Sequence, residues 1–259
     1  MSNQKKDFAV FSICKNEKFY LPKFINHYSK FIDKEDIYIL DHMSEDGSTK
    51  NLDVNVLPVN HDIAFDHFWL KTTVQNFQRD LLEKYKVVIF AECDEFLFSR
   101  DCDFRGYLEE FLESNRELDR AQGMEVIHDF DREPNLVLEK PILEQRDYWA
   151  YNSRFSKSLV SKIPCVWDVG FHFTLQPPQI PESNNLILMH MHFCDLNYNT
   201  TRTLHRIKNC DKLEDQPLGI HNKQKDSDTV KQHFQRTASR FLEVATKIPN
   251  DVKISLSDL

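Results

Sequence analysis

Glycine is scarce in this sequence, with five residues among 259. No G-x-G-x-x-G or Walker A pattern occurs, which excludes the glycine-rich loops that hold phosphates in dinucleotide-binding proteins and P-loop enzymes. No apolar run approaches the ~18 residues that span a bilayer. Residues 1–7 are polar and lack the apolar segment of a secretory signal. We therefore expect a cytoplasmic protein with no transmembrane segment.

Positive charge is also in short supply: 33 lysines and arginines face 41 acids, giving a net charge of −8. This balance disfavours nucleic acid as the main partner. The six cysteines include no C-x-x-C pair and several lie in apolar runs, which predicts reduced thiols. The hydrophobic content of 41%, with 20 phenylalanines, is enough for one large core, and we predict a single domain over 1–259.

Strand and helix signals alternate along the first hundred residues. Short apolar, β-branched runs predict strands, and apolar residues at helical spacing predict helices between them. This alternation implies right-handed βαβ units and a parallel sheet, hence an α/β fold. The predicted strands are 8–14, 36–40, 54–59 and 87–93, and the predicted helices are 17–31 and 65–85.

The second half of the chain is less regular and shows no internal repeat or dividing linker. Apolar spacing still predicts several elements there. They are a helix over 104–115, strands over 123–127, 158–161 and 186–192, and helices over 200–210 and 228–248.

Three acids follow the apolar run of the fourth predicted strand: Glu92, Asp94 and Glu95. A buried strand does not keep such a cluster in its interior, so we expect the acids at its carboxyl end, facing a crevice. Glu92 and Asp94 would point to the same side and could share a divalent cation with a phosphate-bearing ligand. The alternative is a solvated strand end followed by a turn.

Polar residues also follow the first two predicted strands, Asn16 and Glu17 after the first and Asp41 after the second. The carboxyl ends of parallel strands meet at one edge of a sheet, where α/β folds bind ligands. We therefore expect these residues to gather with the acids of the fourth strand. A helix N-cap at Asn16 and Glu17, and a plain turn at Asp46 and Gly47, are the alternatives.

Three segments, taken in order, resemble the family 2-type glycosyltransferases of GT-A fold. They are residues 13–17 (Ile-Cys-Lys-Asn-Glu), 38–49, and 90–97 (Phe-Ala-Glu-Cys-Asp-Glu-Phe-Leu). The resemblance is to the branch with a K-N-E start and a D-x-D-E-F metal motif. It implies a mostly parallel central sheet flanked by helices, with further helices at the C-terminal end. It also implies a nucleotide-sugar-binding half, 1–100, and an acceptor-binding half, 101–259.

The resemblance implies a divalent metal, Mn²⁺ or Mg²⁺, which bridges the protein and the donor's diphosphate. Asp94 occupies the second acid position of the motif and is the first metal ligand expected. Glu92 stands where the family has aspartate, and its longer side chain could instead reach the ribose or a metal-bound water. Many GT-A enzymes add a histidine from the C-terminal half. His190 and His192, on one face of a predicted strand, are the candidates ahead of His172, and imidazole with carboxylate suits manganese.

The same resemblance places the donor's nucleotide against the ends of the first two strands. Amide and carboxylate groups there can hydrogen-bond the base or the ribose. Arg202 and Arg206, four residues apart on one predicted helix, would face the phosphates, and a solvent-exposed basic face is the alternative. The donor-binding residues implied are Asn16, Glu17, Asp41, Asp46, Glu92 and Arg202.

An inverting transfer needs a general base that takes the proton from the acceptor hydroxyl. In related folds this base precedes the histidine ligand by a few tens of residues, which favours Asp168. Trp167 beside it could stack on a sugar. Asp129 is the second candidate, and Asp131 and Glu95 are further rivals.

The sequence thus predicts a metal-dependent, inverting glycosyltransferase. It would move a sugar from a nucleotide-sugar donor to a glycan or lipid-linked acceptor of a surface polysaccharide, and peripheral membrane contact is compatible with that role. Two alternatives stay open. A metal-dependent nucleotidyltransferase would also use an acid cluster, but this sequence lacks the phosphate loop that such an enzyme would carry near its first strand. A carbohydrate-binding scaffold on a degenerate GT-A fold has the Glu92 departure as its support.

Overall fold

The computed structural model describes residues 4–63, 66–175, 180–207 and 226–259. Within these ranges ten strands form one sheet, and α-helices pack against it. The strands are β1 (Lys6–Cys14), β2 (Ile37–Asp41), β3 (Asn55–Pro58), β4 (Tyr85–Phe90), β5 (Glu95–Ser99), β6 (Leu118–Ile127), β7 (Tyr148–Tyr151), β8 (Ser158–Ser161), β9 (Glu182–His190) and β10 (Thr246–Lys247). The helices are α1 (Tyr20–Tyr28), α2 (His67–Leu82), α3 (Phe104–Glu113), α4 (Leu196–Ile207), α5 (Ser227–Leu242) and α6 (Asn250–Ser255).

The first part of the sheet is parallel, with β3, β2, β1 and β4 side by side. β1 is central: Val10 pairs with Ile37 on β2 and with Ile89 on β4, and all three side chains are fully buried. Burial on both faces explains why these strands appear in the sequence as continuous apolar runs. The expectation of an α/β fold with parallel strands flanked by helices is confirmed for this part.

The second part of the sheet is mostly antiparallel. β6 pairs antiparallel with β7 and β8 and parallel with β9, while β8 joins this part to β4. The backbone of Phe155 approaches β6 so closely at Gly123 that only glycine fits there, because a Cβ would lie 2.5 Å from the Phe155 carbonyl carbon. The whole sheet is therefore mixed, and the parallel pattern predicted from the first hundred residues does not extend across it.

The fourth predicted strand ends earlier than expected, at Phe90. The chain turns over residues 91–94, where the Glu95 amide donates to the Glu92 carbonyl at 2.9 Å. A separate strand, β5, begins at Glu95 and pairs antiparallel with β9, so that Glu95 lies opposite His190. The acid cluster is therefore the turn between two strands of the sheet, and not the end of one long strand.

The C-terminal helices differ from the prediction at their ends. α4 begins at Leu196 because Asp195 caps it, with Asp195 Oδ1 accepting from the Tyr198 amide at 2.7 Å. Cys210, in the predicted end of this helix, lies outside the described residues. α5 ends at Leu242, shortly before β10 pairs with β7. None of the helices in the described ranges is long and apolar enough to cross a membrane.

Aromatic side chains fill the space between the parallel strands and α2. The ring of Phe11 on β1 lies edge-on to Phe77 of α2, with centroids 5.2 Å apart, and tilted against Phe90 of β4 at 5.1 Å. The five described cysteines are free, and four of them are buried. This packing fixes the strand ends that carry the polar residues.

Candidate active site

The carboxyl ends of β1 and β4 open onto a cleft of about 770 Å³, which the end of β9 and one face of α4 close from the other side. Cys14 pairs with Asp41 and Phe11 pairs with Phe90, so the three parallel strands end at the same edge. Ten of the candidate residues named from the sequence line this cleft: Asn16, Glu17, Asp46, Glu92, Asp94, His172, His190, His192, Arg202 and Arg206.

Arg202 of α4 is buried between two acids, Glu17 after β1 and Asp94 after β4. Its Nε lies 2.8 and 3.0 Å from the two carboxylate oxygens of Glu17, and its Nη1 contacts Asp94 Oδ2. Arg206, one turn later, donates to Glu17 at 3.2 Å. Glu17 therefore anchors two guanidinium groups while it lines the cleft, and its hydrogen bond to a base or ribose stays a prediction.

Charge pairing controls ionisation at this point of the cleft. Burial would raise the pKa of Asp94, but the Arg202 guanidinium beside it holds that pKa well below its usual range. Burial would likewise lower the pKa of Arg202, and the charge of Asp94, followed by that of Glu17, raises it. Asp94 is therefore a fixed anion at the cleft floor.

His190 lies on the other side of Asp94 and is oriented by a buried acid of β6. Its Nδ1 donates to Glu125 Oε1 at 2.7 Å, which turns Nε2 towards Asp94 Oδ2 at 3.7 Å. The ring of Phe155 stacks on the imidazole with centroids 4.4 Å apart. Burial would lower the pKa of His190, but the Glu125 carboxylate raises it overall. An imidazole nitrogen that faces a carboxylate oxygen calls for a cation between them, either a proton or a metal ion.

Glu92 is held by a lysine that sequence reasoning did not single out. Lys157 is fully buried, and its Nζ lies 2.8 Å from Glu92 Oε2 and 2.5 Å from Glu95 Oε1. Burial would lower the pKa of this lysine, whereas the charges of Glu92 and Glu95 raise it. Burial would raise the pKa of Glu92, and the Lys157 ammonium lowers it overall.

The four predicted metal ligands are only partly brought together. Within the described ranges no group of three or more histidine, cysteine, aspartate or glutamate side chains is arranged to hold a metal ion. Asp94 and His190 face each other, while Glu92 is tied to Lys157. His192 lies in the turn after β9, not on the strand as predicted, and its ring stacks on His190 with centroids 5.8 Å apart.

The donor set at Asp94 and His190 nevertheless fits a divalent cation. A carboxylate behind the imidazole, here Glu125, is the usual way in which proteins orient a histidine ligand. Five acidic side chains and three fixed cations surround the pair, so acidic groups are in excess there. The carboxylates are those of Glu17, Glu92, Asp94, Glu95 and Glu125, and the cations are those of Lys157, Arg202 and Arg206.

Asn16, Asp41 and Asp46 bind the backbone of the neighbouring loops. Asn16 has a left-handed backbone, with φ of 58°, and its Oδ1 accepts from the Glu45 and Asp46 amides at 2.7 and 3.2 Å. Asp46 accepts from the Lys18 amide at 3.3 Å. Asp41 accepts from residues of its own loop and does not line the cleft. Asn16 and Asp46 therefore shape the wall that a ligand would meet, and Asp41 braces its own loop outside the cleft.

The predicted general bases lie outside the cleft lining. Asp168 Oδ1 accepts from the Phe173 amide at 2.8 Å within a tight turn, and Asp129 accepts from the Asp131 amide at 3.3 Å. Trp167 is fully buried and donates to the Ser158 carbonyl at 3.0 Å. The suggested stacking of its indole on a sugar is therefore wrong, because a buried ring presents no face to a ligand.

Four residues of the site escaped sequence reasoning. Glu125 left a signal, since an acid within the apolar run of β6 must find a partner when it is buried. Lys157 left a similar signal just before β8. Phe155 and Glu139 left none, because an aromatic residue in a short 3-10 turn and an acid in a loop are common and carry no periodicity. Both line the cleft.

Comparisons with known proteins add little to this geometry. No family profile matches the chain, and no curated protein sequence matches it either. A solved structure described as the mannosyltransferase PcManGT from Pyrobaculum calidifontis in complex with GDP-Man and Mn²⁺ is similar over 93% of this chain and 75% of that one. The sequences are 11% identical, and the TM-score is 0.38. Similarity at this level assigns neither an activity nor a ligand to this protein.

Proposed function

We propose that this protein is a glycosyltransferase that uses a nucleotide-sugar donor and a divalent cation. The observation that carries the proposal is the chain of buried charges at the cleft floor. It lies at the carboxyl ends of parallel strands, where α/β folds bind ligands. A divalent cation and guanidinium donors each stabilise the charge of a departing diphosphate, and this floor has groups for both. The chain runs through Glu17, Arg202, Asp94, His190 and Glu125.

Basic side chains around the cleft support a donor that carries a diphosphate. Lys15 and Lys18 line the cleft near the end of β1, and Arg206 lines it from α4 with 27% of its side chain exposed. A guanidinium has five N–H donors, enough to serve a carboxylate and a phosphate together. We therefore place the diphosphate between the end of β1 and α4.

Asp94 and His190 are the residues that would hold the cation, and Glu125 would keep the imidazole oriented. The cation, Mn²⁺ or Mg²⁺, would stabilise the negative charge of the leaving diphosphate. Glu92 would serve hydroxyl groups of the donor, because one of its oxygens is already bound to Lys157. Asn16 and Asp46 would shape the pocket for the nucleotide through the loops that they brace.

We further propose an inverting transfer to a glycan or lipid-linked acceptor in the cytoplasm, which requires a general base. Glu139 lines the cleft with an exposed side chain, and no residue in the described ranges forms an ion pair or a hydrogen bond with its carboxylate. It is therefore the first candidate for this role. Asp168 and Asp129 follow, since each would have to leave its present hydrogen bonds to reach an acceptor.

The proposal is tested by donor hydrolysis. The protein would be incubated with a panel of UDP-, GDP-, dTDP- and CDP-linked sugars, with Mn²⁺ or with a chelator, and nucleoside diphosphate release would be followed. We expect slow release from one donor class, lost in the chelator and restored by Mn²⁺ or Mg²⁺. Absence of release across the panel, together with absence of nucleoside diphosphate binding, would contradict the proposal.

A further inference from the structure

We propose that Lys157 is a positioning residue of the cleft, which acts on the donor by holding the Glu92 carboxylate in place from beneath. The inference rests on the proposed function, because it assumes that Glu92 contacts the donor. Lys157 itself does not line the cleft, so any effect of this lysine on binding must pass through another residue.

The surroundings of Lys157 are built around its charge. The side chain is fully buried just before β8, and its Nζ reaches two carboxylates at 2.8 and 2.5 Å, those of Glu92 and Glu95. The ring of Phe155 lies 5.9 Å from the same ammonium. Lysine is almost never fully buried unless it is paired. A buried ammonium at this point therefore has a specific electrostatic task.

The two acid partners of Lys157 face different surroundings. Glu95 is fully buried in β5 and does not line the cleft, whereas Glu92 lines the cleft and keeps 27% of its side chain exposed. The Glu92 amide also donates to Glu95 Oε2 at 3.0 Å, so the turn and the two carboxylates form one unit. Lys157 thus connects the interior of the sheet to a carboxylate that a ligand can reach.

Loss of the ammonium would affect both partners, but only one of the effects concerns the ligand. A neutral side chain at position 157 leaves two neighbouring carboxylates without their shared cation. Their repulsion favours rotation of Glu92 away from Glu95 and out into the cleft. The site would then lose the fixed orientation of Glu92, and donor binding would weaken.

A double-mutant cycle separates the positioning role from a merely structural one. The variants are Lys157→Met, Glu92→Gln, Lys157→Met with Glu92→Gln, and Lys157→Met with Glu95→Gln. Affinity for UDP and GDP with Mn²⁺ would be measured by calorimetry, and unfolding midpoints in urea would be measured without ligand. We expect Lys157→Met to weaken nucleoside diphosphate binding about tenfold or more.

The two double variants decide the question. If Lys157 acts through Glu92, adding Lys157→Met to Glu92→Gln causes no further loss of affinity. The Glu95→Gln double variant would then regain stability but not affinity. Recovery of both stability and affinity in the Glu95→Gln double variant would overturn the proposal, because Lys157 would then only neutralise Glu95. If Lys157→Met alone does not fold, the same comparison is made with the two double variants.

A matched control and a ligand-free measurement complete the test. Lys162→Met removes a lysine that follows β8 and donates to the Ser114 carbonyl at 2.6 Å, and it should leave nucleotide affinity unchanged. If the wild-type protein binds no nucleoside diphosphate, the proposed function fails. The ion pair between Lys157 and Glu92 is still tested by the urea midpoints. The pair would be overturned if the variant with both Lys157→Met and Glu92→Gln were no more stable than the variant with Lys157→Met alone.

Discussion

The carboxylate of Asp94 meets a guanidinium on one side and an imidazole on the other. Asp94→Asn keeps the size of the side chain but removes the negative charge that both neighbours share. We expect metal-dependent turnover to be lost while the fold is retained, because Arg202 still pairs with Glu17. Turnover at saturating Mn²⁺ and circular dichroism check this result.

The control for that variant is Asp36→Asn, a buried acid away from the cleft that binds Lys6 and the Tyr85 hydroxyl. It should lower stability and leave turnover unchanged. Turnover near the wild-type level in Asp94→Asn would remove Asp94 from the cation site.

Glu139 lines the cleft and is the residue that we propose as the general base. Glu139→Gln keeps the shape of the side chain but cannot accept the proton of an acceptor hydroxyl. We expect turnover to fall by ~10²-fold or more, with little change in donor affinity. Asp168→Asn is the paired experiment. If turnover fell by that amount in Asp168→Asn and not in Glu139→Gln, the general base would be Asp168, the residue that the sequence favoured. Steady-state kinetics and calorimetry on both variants check the assignment.

At the scale of elements, the ion pairs of Glu17 join the end of β1 to α4. Glu17→Gln leaves Arg202 paired with Asp94 alone, and hydrogen bonds to a charged group contribute about 1.5–3 kcal/mol each. We expect a loss of about 2 kcal/mol in the free energy of unfolding and weaker nucleotide binding. Urea unfolding checks the first effect. Glu35→Gln, whose side chain is 73% exposed in a surface pair with Lys6, should change stability by less than ~0.5 kcal/mol.

The contact of α1 with β5 depends on a buried neutral histidine. His27 Nε2 donates to the Leu97 carbonyl at 2.7 Å, and burial lowers the pKa of His27 to about 4. Since the folded pKa lies below the unfolded value of about 6.5, the unfolded state binds protons first as the pH falls. As the pH falls from about 6.5 to about 4, His27 therefore reduces the free energy of unfolding, by up to about 3 kcal/mol.

His27→Gln tests this effect because the glutamine amide can still donate to Leu97. We expect the wild-type protein to lose more stability than the variant between pH 7 and pH 4.5. Urea unfolding at both pH values gives the difference, and equal losses in the two proteins would contradict the assignment.

The elements that the sequence predicted well are those with a clear change from apolar to polar residues. β1 ended where expected, at Cys14, and β2 ended one residue later than expected, at Asp41. Their polar ends met at one edge, and burial on both faces made both strands visible as apolar runs. β5 was missed because the turn before it consists of the acids themselves, with apolar residues on both sides. The partners of those acids, Lys157 and Glu125, are distant in sequence, and no local pattern could pair them.

At the scale of the whole molecule, a ligand that bridges the parallel strands and α4 should stabilise the protein as a unit. A nucleoside diphosphate with a divalent cation would contact groups from β1, the turn after β4, β9 and α4. Ligand at 100 times its dissociation constant adds about 2.7 kcal/mol to the free energy of unfolding. For a chain of this size that corresponds to a rise in Tm of about 5–10 °C.

Differential scanning fluorimetry with GDP and UDP, in Mn²⁺ and in a chelator, measures this rise. We expect a much smaller shift in the chelator, because Asp94 and His190 would hold the cation in the proposed site and the cation would help to retain the diphosphate. The Asp94→Asn variant should show the small shift in both conditions. An equal shift in Mn²⁺ and in the chelator would instead assign diphosphate binding to Arg202, Arg206 and the lysines of the cleft alone, and the cation would have no part in holding the donor.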